Sequence, residues 1–171
     1  MDFFDVIKSR HSIRTFAPTP MQQEDMQTIL EAANSAPSAG NLQAYEIYLV
    51  TRSKDKSALA KAALEQWFVA QAPFVLVFCA HPERSARRYG QRGVRLYGVQ
   101  DATIACTFAM LAATALGLAT VWVGAFDDDS VRRAIKAPEG VVPVAILPIG
   151  HAAEKPEKTP RRRLSDLVHE P

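Results

Sequence analysis

The chain has 171 residues, of which 48% are apolar and 22% charged, with a formal net charge of +2. That size suits one domain, 1–171, with a proper core, and the composition excludes disorder as the main state. So small a charge gives no ground for nucleic acid as a partner.

Asp2–Ser9 reads as a short amphipathic helix with Phe3, Phe4 and Ile7 as its apolar set. An extended stretch follows, Arg10-His11-Ser12-Ile13-Arg14. Side chains alternate in extended backbone, so Arg10, Ser12 and Arg14 point one way and His11, Ile13 and Thr15 the other. Two guanidinium forks around a hydroxyl suit a long anionic ligand with phosphate at one end. Taken alone, such a row is more often a pair of solvated surface arginines. Met21–Ala36 is the next helix, with Met26, Ile29, Leu30 and Ala33 at helical spacing and acidic residues in its first turn. Pro37-Ser38-Ala39-Gly40-Asn41, followed by Gln43, ends it. Alone, this is a helix-terminating turn.

Tyr45–Thr51 is rich in aromatic and β-branched residues and reads as a strand. Ser53–Val69 is expected to be one long helix with Ser53 as a possible N-cap. Phe74–Ala80 is a continuous apolar run, the mark of a strand covered on both faces. Residues 83–100 hold Arg84, Arg87, Arg88, Arg92 and Arg95 with glycines at 90, 93 and 98, and read as helix plus a mobile loop. Asp101–Leu116 is apolar nearly all round, so it must be buried in a core or at a subunit interface. Thr120–Val123 reads as a buried strand ending in Val123-Gly124, where glycine lets a planar ligand approach the backbone. Ser130–Ala137 is a short helix behind an acidic cap, and Val141–Ile149 is the last strand. The tail from His151 is polar and basic, with Arg161, Arg162 and Arg163 and only Leu164, Leu167 and Val168 as anchors.

The two cysteines, Cys79 and Cys106, lie in apolar runs and read as buried free thiols. No histidine pair has metal-ligand spacing, and phosphate-loop, dinucleotide-binding and nucleophile-elbow motifs are absent. Residues 1–5 lack the basic and apolar parts of a signal peptide, and no uninterrupted apolar stretch spans a membrane, so a cytoplasmic protein is expected. The pattern is helices on both faces of a small mixed sheet, so α+β or three-layer α/β, with more apolar helix surface than that sheet can cover. The surplus argues for a dimer.

The order Arg-His-Ser-Ile-Arg-x-Phe, then Ile29 to Gln43, then Asp101-Ala102, then Ala115 to Leu118 with Trp122 to Phe126, resembles the nitroreductase family of FMN enzymes. The resemblance implies an α+β three-layer fold, an intertwined homodimer, and FMN at each end of the subunit interface. It implies that the segment of Arg10, His11, Ser12 and Arg14 holds the cofactor, with Arg10 and Ser12 on the phosphate and Arg14 near flavin N1. Arg161 and Arg163 would reach the phosphate from the tail. Pro37, Ser38, Ala39 and Asn41 would come from the second subunit, near the benzenoid ring, with Gln43 behind them as a further cofactor contact, and the Val123–Gly124 backbone would approach N5. The implied reaction passes hydride from NADH or NADPH through the flavin to a nitroaromatic, quinone or similar small acceptor, with no catalytic side chain required. The same fold also carries dehalogenation, azoline oxidation and flavin breakdown, and it admits a flavin-binding protein without turnover. Contacts to the pyrimidine ring, expected between residues 53 and 73, have Gln66, Trp67 and Gln71 as candidates.

Overall fold

The computed structural model describes residues 1–156 and 159–171. Its centre is a four-stranded sheet of β1 (Tyr45–Val50), β2 (Phe74–Ala80), β3 (Ala119–Thr120) and β4 (Val142–Gly150), in the order β1-β2-β4-β3. All its pairings are antiparallel, with Phe74 opposite Ile149 and Tyr45 opposite Ala80. β2 is apolar throughout because both its faces are covered. Phe74, Leu76 and Phe78 join one buried cluster, and Val75, Val77 and Cys79 join the other. The period of two thus divides one strand between two cores. A fully buried side chain such as Phe78 contributes about 1.5–3 kcal/mol relative to exposure.

The layer on the Phe78 side is α2 (Gln23–Asn34) and α6 (Gly98–Ala115). Alanines 102, 105, 109 and 113 of α6 are buried, and their small size lets α2 and the sheet close on the helix together. The opposite layer holds α3 (Ser53–Ala62), α4 (Phe68–Gln71) and α7 (Asp128–Ala134), with Leu59, Val69 and Val131 fully buried. The side chain of Asp127 caps α7 by accepting the Ser130 N–H at 2.8 Å. On α1 (Phe3–Ser9) only Val6 is buried.

Four expectations need correction. The single helix over 53–69 is two helices, because Leu64 and Glu65 have φ of 55° and 61° and the chain turns there. Ser53 is the first helical residue rather than its cap; Arg52 occupies the cap position without a side-chain bond. Residues 83–100 contain no irregular mobile loop. They form α5 (Pro82–Arg92), a π-helical turn Gly93–Tyr97, and the start of α6. Gly90, at φ 53° and ψ −137°, reverses the chain inside α5, which only glycine does cheaply. The reversal makes a helical hairpin in which Gly93 packs on the backbone of Ser85 and the rings of Tyr89 and Tyr97 meet edge to face at 5.0 Å. The run Pro82–Ala115 is long and apolar enough to cross a membrane by composition, but this reversal breaks it and its α6 part packs on the sheet. Finally, the apolar residues expected to anchor the tail, Leu164, Leu167 and Val168, are 77%, 51% and 65% exposed, as is most of Phe3 and Phe4.

Candidate active site

The segment after α1 runs alongside the short strand β3. Ile13 donates its N–H to the Thr120 carbonyl at 3.0 Å, and Ser12 pairs with Thr120 in parallel. Ile13 is buried on the core side, which leaves Ser12 and Arg14 exposed on the other. Further along, Ala17 donates to the His151 carbonyl and Ala153 to the Thr15 carbonyl, each at 2.9 Å. The tail is thereby stitched back onto the segment that carries the arginines.

Glu154 completes the stitch. Its carboxylate accepts the backbone N–H groups of Arg14 and Thr15 and the Thr15 hydroxyl. The Arg14 N–H is the main reason that Glu154 is held below its ordinary pKa of 4.5. The chain then passes a concavity of about 870 Å³ lined by Lys8, Arg10, His11, Ser12, Arg14 and Arg161. Among the described residues none of its four cations has a carboxylate at ion-pair distance. Clustered like charges without a partner repel one another, so they mark a surface shaped for an anion. His11 shares this concavity although strict alternation sets it on the far face.

A second concavity, of about 500 Å³, lies at Pro37, Ser38, Ala39, Tyr97, Gln100 and Ile104. Its loop is held from beneath by Asp101, which is 2% exposed. Asp101 accepts the Ala39 N–H at 2.9 Å and the Ala44 N–H at 3.2 Å, and the Ser38 hydroxyl accepts the Gln43 N–H at 2.9 Å. Asn41 and Gln43 take positive φ, 56° and 47°, and line neither concavity. The Gln43 carbonyl is engaged by Arg84, which also pairs with Glu46.

Val123 is buried and exchanges backbone hydrogen bonds with Ile146 at 3.0 and 2.9 Å, while Gly124 emerges at the surface beside it. A Cβ on Gly124 would stand 3.0 Å from Trp122 Nε1. Gln66 donates to the carbonyls of Ala63 and Ala125, so it ties this turn to the end of α3 rather than facing a concavity. Trp67 is half exposed and Gln71 lies at a separate hollow near Pro18. Arg163 precedes the 3-10 turn Leu164–Asp166 and is exposed, away from the lining that includes Arg161. Both cysteines are buried; burial pushes the Cys79 thiol up to about 12 and raises that of Cys106 further, which removes them from thiolate chemistry. Among the described residues no group of acidic, histidine and cysteine side chains is arranged for a metal.

Lys8, Glu154 and Tyr97 enter the site without a sequence signal of their own, and Asp101 stood in the sequence only as part of the family resemblance, with no role attached. Lys8 stands two positions before Arg10 on the last turn of a helix. Glu154 lies in a polar tail, and its role depends on how the chain folds back.

The description "Nitroreductase family" fits a family model that matches residues 7–81 and 68–151. The chain belongs to the nitroreductase family. An FMN reductase [NAD(P)H] of Bacillus subtilis is 34% identical over 183 residues, covering 97% of this chain and 73% of the relative. The NADPH-flavin oxidoreductase of Vibrio harveyi is 31% identical over 173 residues, covering 97% of this chain and 72% of the relative. Among solved structures, the Vibrio harveyi NADPH:FMN oxidoreductase complexed with NAD+ superposes with a TM-score of 0.90 at 31% identity, covering 98% of this chain and 76% of that one. The B. megaterium NfrA2 structure has the same TM-score and identity over 99% of this chain and 74% of its own.

Proposed function

We propose that this nitroreductase-family chain is an NAD(P)H-dependent FMN oxidoreductase acting on small electron-poor acceptors, with nitroaromatics and quinones as the class. The observation that carries the reading is the cationic concavity of Lys8, Arg10, Arg14 and Arg161, which holds no ion pair among the described residues. A phosphorylated flavin fits it in charge and donor chemistry, since a phosphate takes several guanidinium and hydroxyl donors at once. Held there, FMN would supply the hydride-transfer chemistry between a reduced nicotinamide and the acceptor.

The chain's own residues bind and orient. Arg10, Ser12 and Arg161 hold the phosphate, with His11 at the same wall, and Arg163 adds charge from the tail. Arg14 sets positive potential along the edge of the ring that becomes electron-rich. Gly124 offers its exposed backbone N–H beside the rigid Val123–Ile146 pairing. Pro37, Ser38, Ala39 and Asn41, with Gln43 behind them, form a wall that Asp101 keeps in shape. The two concavities share no lining residue, and each lies within the 300–1,000 Å³ of an ordinary ligand site. We therefore assign them to different copies of the chain, as the halves of a composite site in a homodimer. The exposed Phe3, Phe4, Phe108 and Leu164 supply apolar area for that association. The long apolar helix packs on the sheet and α2, and a cytoplasmic location is part of the proposal.

The test is the visible spectrum of the purified protein with FMN added, read with sedimentation. The expected result is a yellow dimer whose absorbance bleaches with NADH or NADPH in the absence of oxygen. A colourless protein that gains no flavin absorbance overturns the proposal.

A further inference from the structure

The hairpin Pro82–Tyr97 carries five arginines against one glutamate. Arg84 has a structural use, on Glu46 and on the Gln43 and Tyr45 carbonyls. The others have no carboxylate at ion-pair distance among the described residues. Two of them are held in place by aromatic rings. The Arg88 guanidinium lies 5.5 Å from the centre of the Tyr89 ring, and that of Arg92 lies 5.4 Å from Tyr97 and donates to its hydroxyl at 2.9 Å. Tyr89 and Tyr97 touch each other edge to face. The result is a continuous stack, Arg88-Tyr89-Tyr97-Arg92, with a guanidinium at each end.

That stack stands at the mouth of the second concavity. Tyr97 lines it. Gly40, one residue past Ala39, lies under the other end: a Cβ there would be 2.9 Å from Arg88 Nη1 and against the Tyr89 hydroxyl. Guanidinium groups already fixed on rings lose little entropy when they take an anion, and their outer edges are exposed. Arginine beside tyrosine offers phosphate recognition and a stacking face within one small area.

We propose that this stack is the docking site for the phosphorylated adenosine end of the nicotinamide, with Arg88 and Arg92 binding the 2′-phosphate that distinguishes NADPH from NADH. The inference rests on the proposed function. If the flavin phosphate lies in the Arg10 concavity, the ring end faces the second one, and the nicotinamide must enter there. The far end of an extended dinucleotide then reaches the rim, which is the hairpin.

The experiment titrates the flavin-loaded protein with adenosine 2′,5′-bisphosphate and with adenosine 5′-monophosphate by calorimetry. The expected result is about tenfold or tighter binding of the bisphosphate, the yield of one or two charge-assisted hydrogen bonds. Arg88→Ala and Arg92→Ala each remove most of that preference, and the ratio of kcat/KM for NADPH over NADH falls by a similar factor. Folding of each variant is checked by its circular dichroism and retained flavin colour. Equal binding of the two nucleotides, or variants that keep the preference, overturns the inference. A protein that stays colourless with FMN fails the underlying reading instead, and the calorimetry separates the two failures.

Discussion

Asp101 and Ala39 lie 62 positions apart, yet a buried carboxylate oxygen of the first accepts the N–H of the second at 2.9 Å. The other oxygen takes the N–H of Ala44. One side chain near the start of the central helix thus sets the path of the loop that lines the second concavity.

Asp101→Asn places an amide where both oxygens accept, so one buried N–H loses its partner. The expected cost is about 1–3 kcal/mol of folding stability. Urea unfolding measures it. Asp101→Asn should also weaken flavin binding, because the loop and not the carboxylate meets the ligand. An unchanged denaturation midpoint would show that the loop holds its own shape.

Arg10→Ala should weaken FMN binding by about 1.5–3 kcal/mol, the range for hydrogen bonds to a charged group. Arg14→Ala should act differently, lowering the flavin reduction potential more than the affinity. Fluorescence titration and anaerobic spectroelectrochemistry read the two effects. Equal behaviour of both variants contradicts the assignment of separate roles along the strand.

Acid should loosen the cationic segment. Glu154 has its pKa depressed in the folded state, first by the Arg14 N–H. A depressed carboxylate contributes stability that is present above its unfolded value of 4.5 and is lost as pH falls through its folded value. Asp2 and Asp127 are depressed as well. The test is therefore a difference: Glu154→Gln should have a lower thermal midpoint than the parent above the unfolded value of Glu154, and the gap should close as pH falls through its folded value. A gap independent of pH removes Glu154 from the account.

Two glycines of the hairpin should respond with opposite signs. A Cβ on Gly93 would lie 2.6 Å from the Ser85 carbonyl oxygen, which is backbone and cannot yield cheaply. Gly93→Ala is expected to cost about 1–3 kcal/mol through overpacking. Gly98 has helical φ of −62°, and its Cβ would meet its neighbours at 3.5 Å. Gly98→Ala should stabilise by about 0.5–1 kcal/mol, the helix-propensity difference. Thermal midpoints of both variants decide the matter.

The sheet was readable from the chain because burial on both faces leaves an unbroken apolar run, and Phe74–Ala80 is one. The cationic wall was readable because Arg10, Ser12 and Arg14 are close in sequence and the alternation of extended backbone does the rest. The break after α3 was not, since Leu64 and Glu65 are ordinary residues whose positive φ is imposed by packing. The hairpin was not readable either: the glycines at 90, 93 and 98 suggested a loop, and the contact of Gly93 on Ser85 exists only once the two helices cross. Asn41 and Gln43 read as ligand-facing amides; within one copy of the chain they line neither concavity.

The separation of the arginine wall from the Asp101-supported wall has a genetic corollary. In the proposed symmetric pair, each pocket would borrow one wall from either polypeptide. A subunit disabled by Arg10→Ala still lends a sound second wall, and one disabled by Asp101→Asn still lends a sound first. Mixed in one cell, the two defective alleles should rebuild one intact pocket per heterodimer, and activity should reappear where neither allele alone supports it.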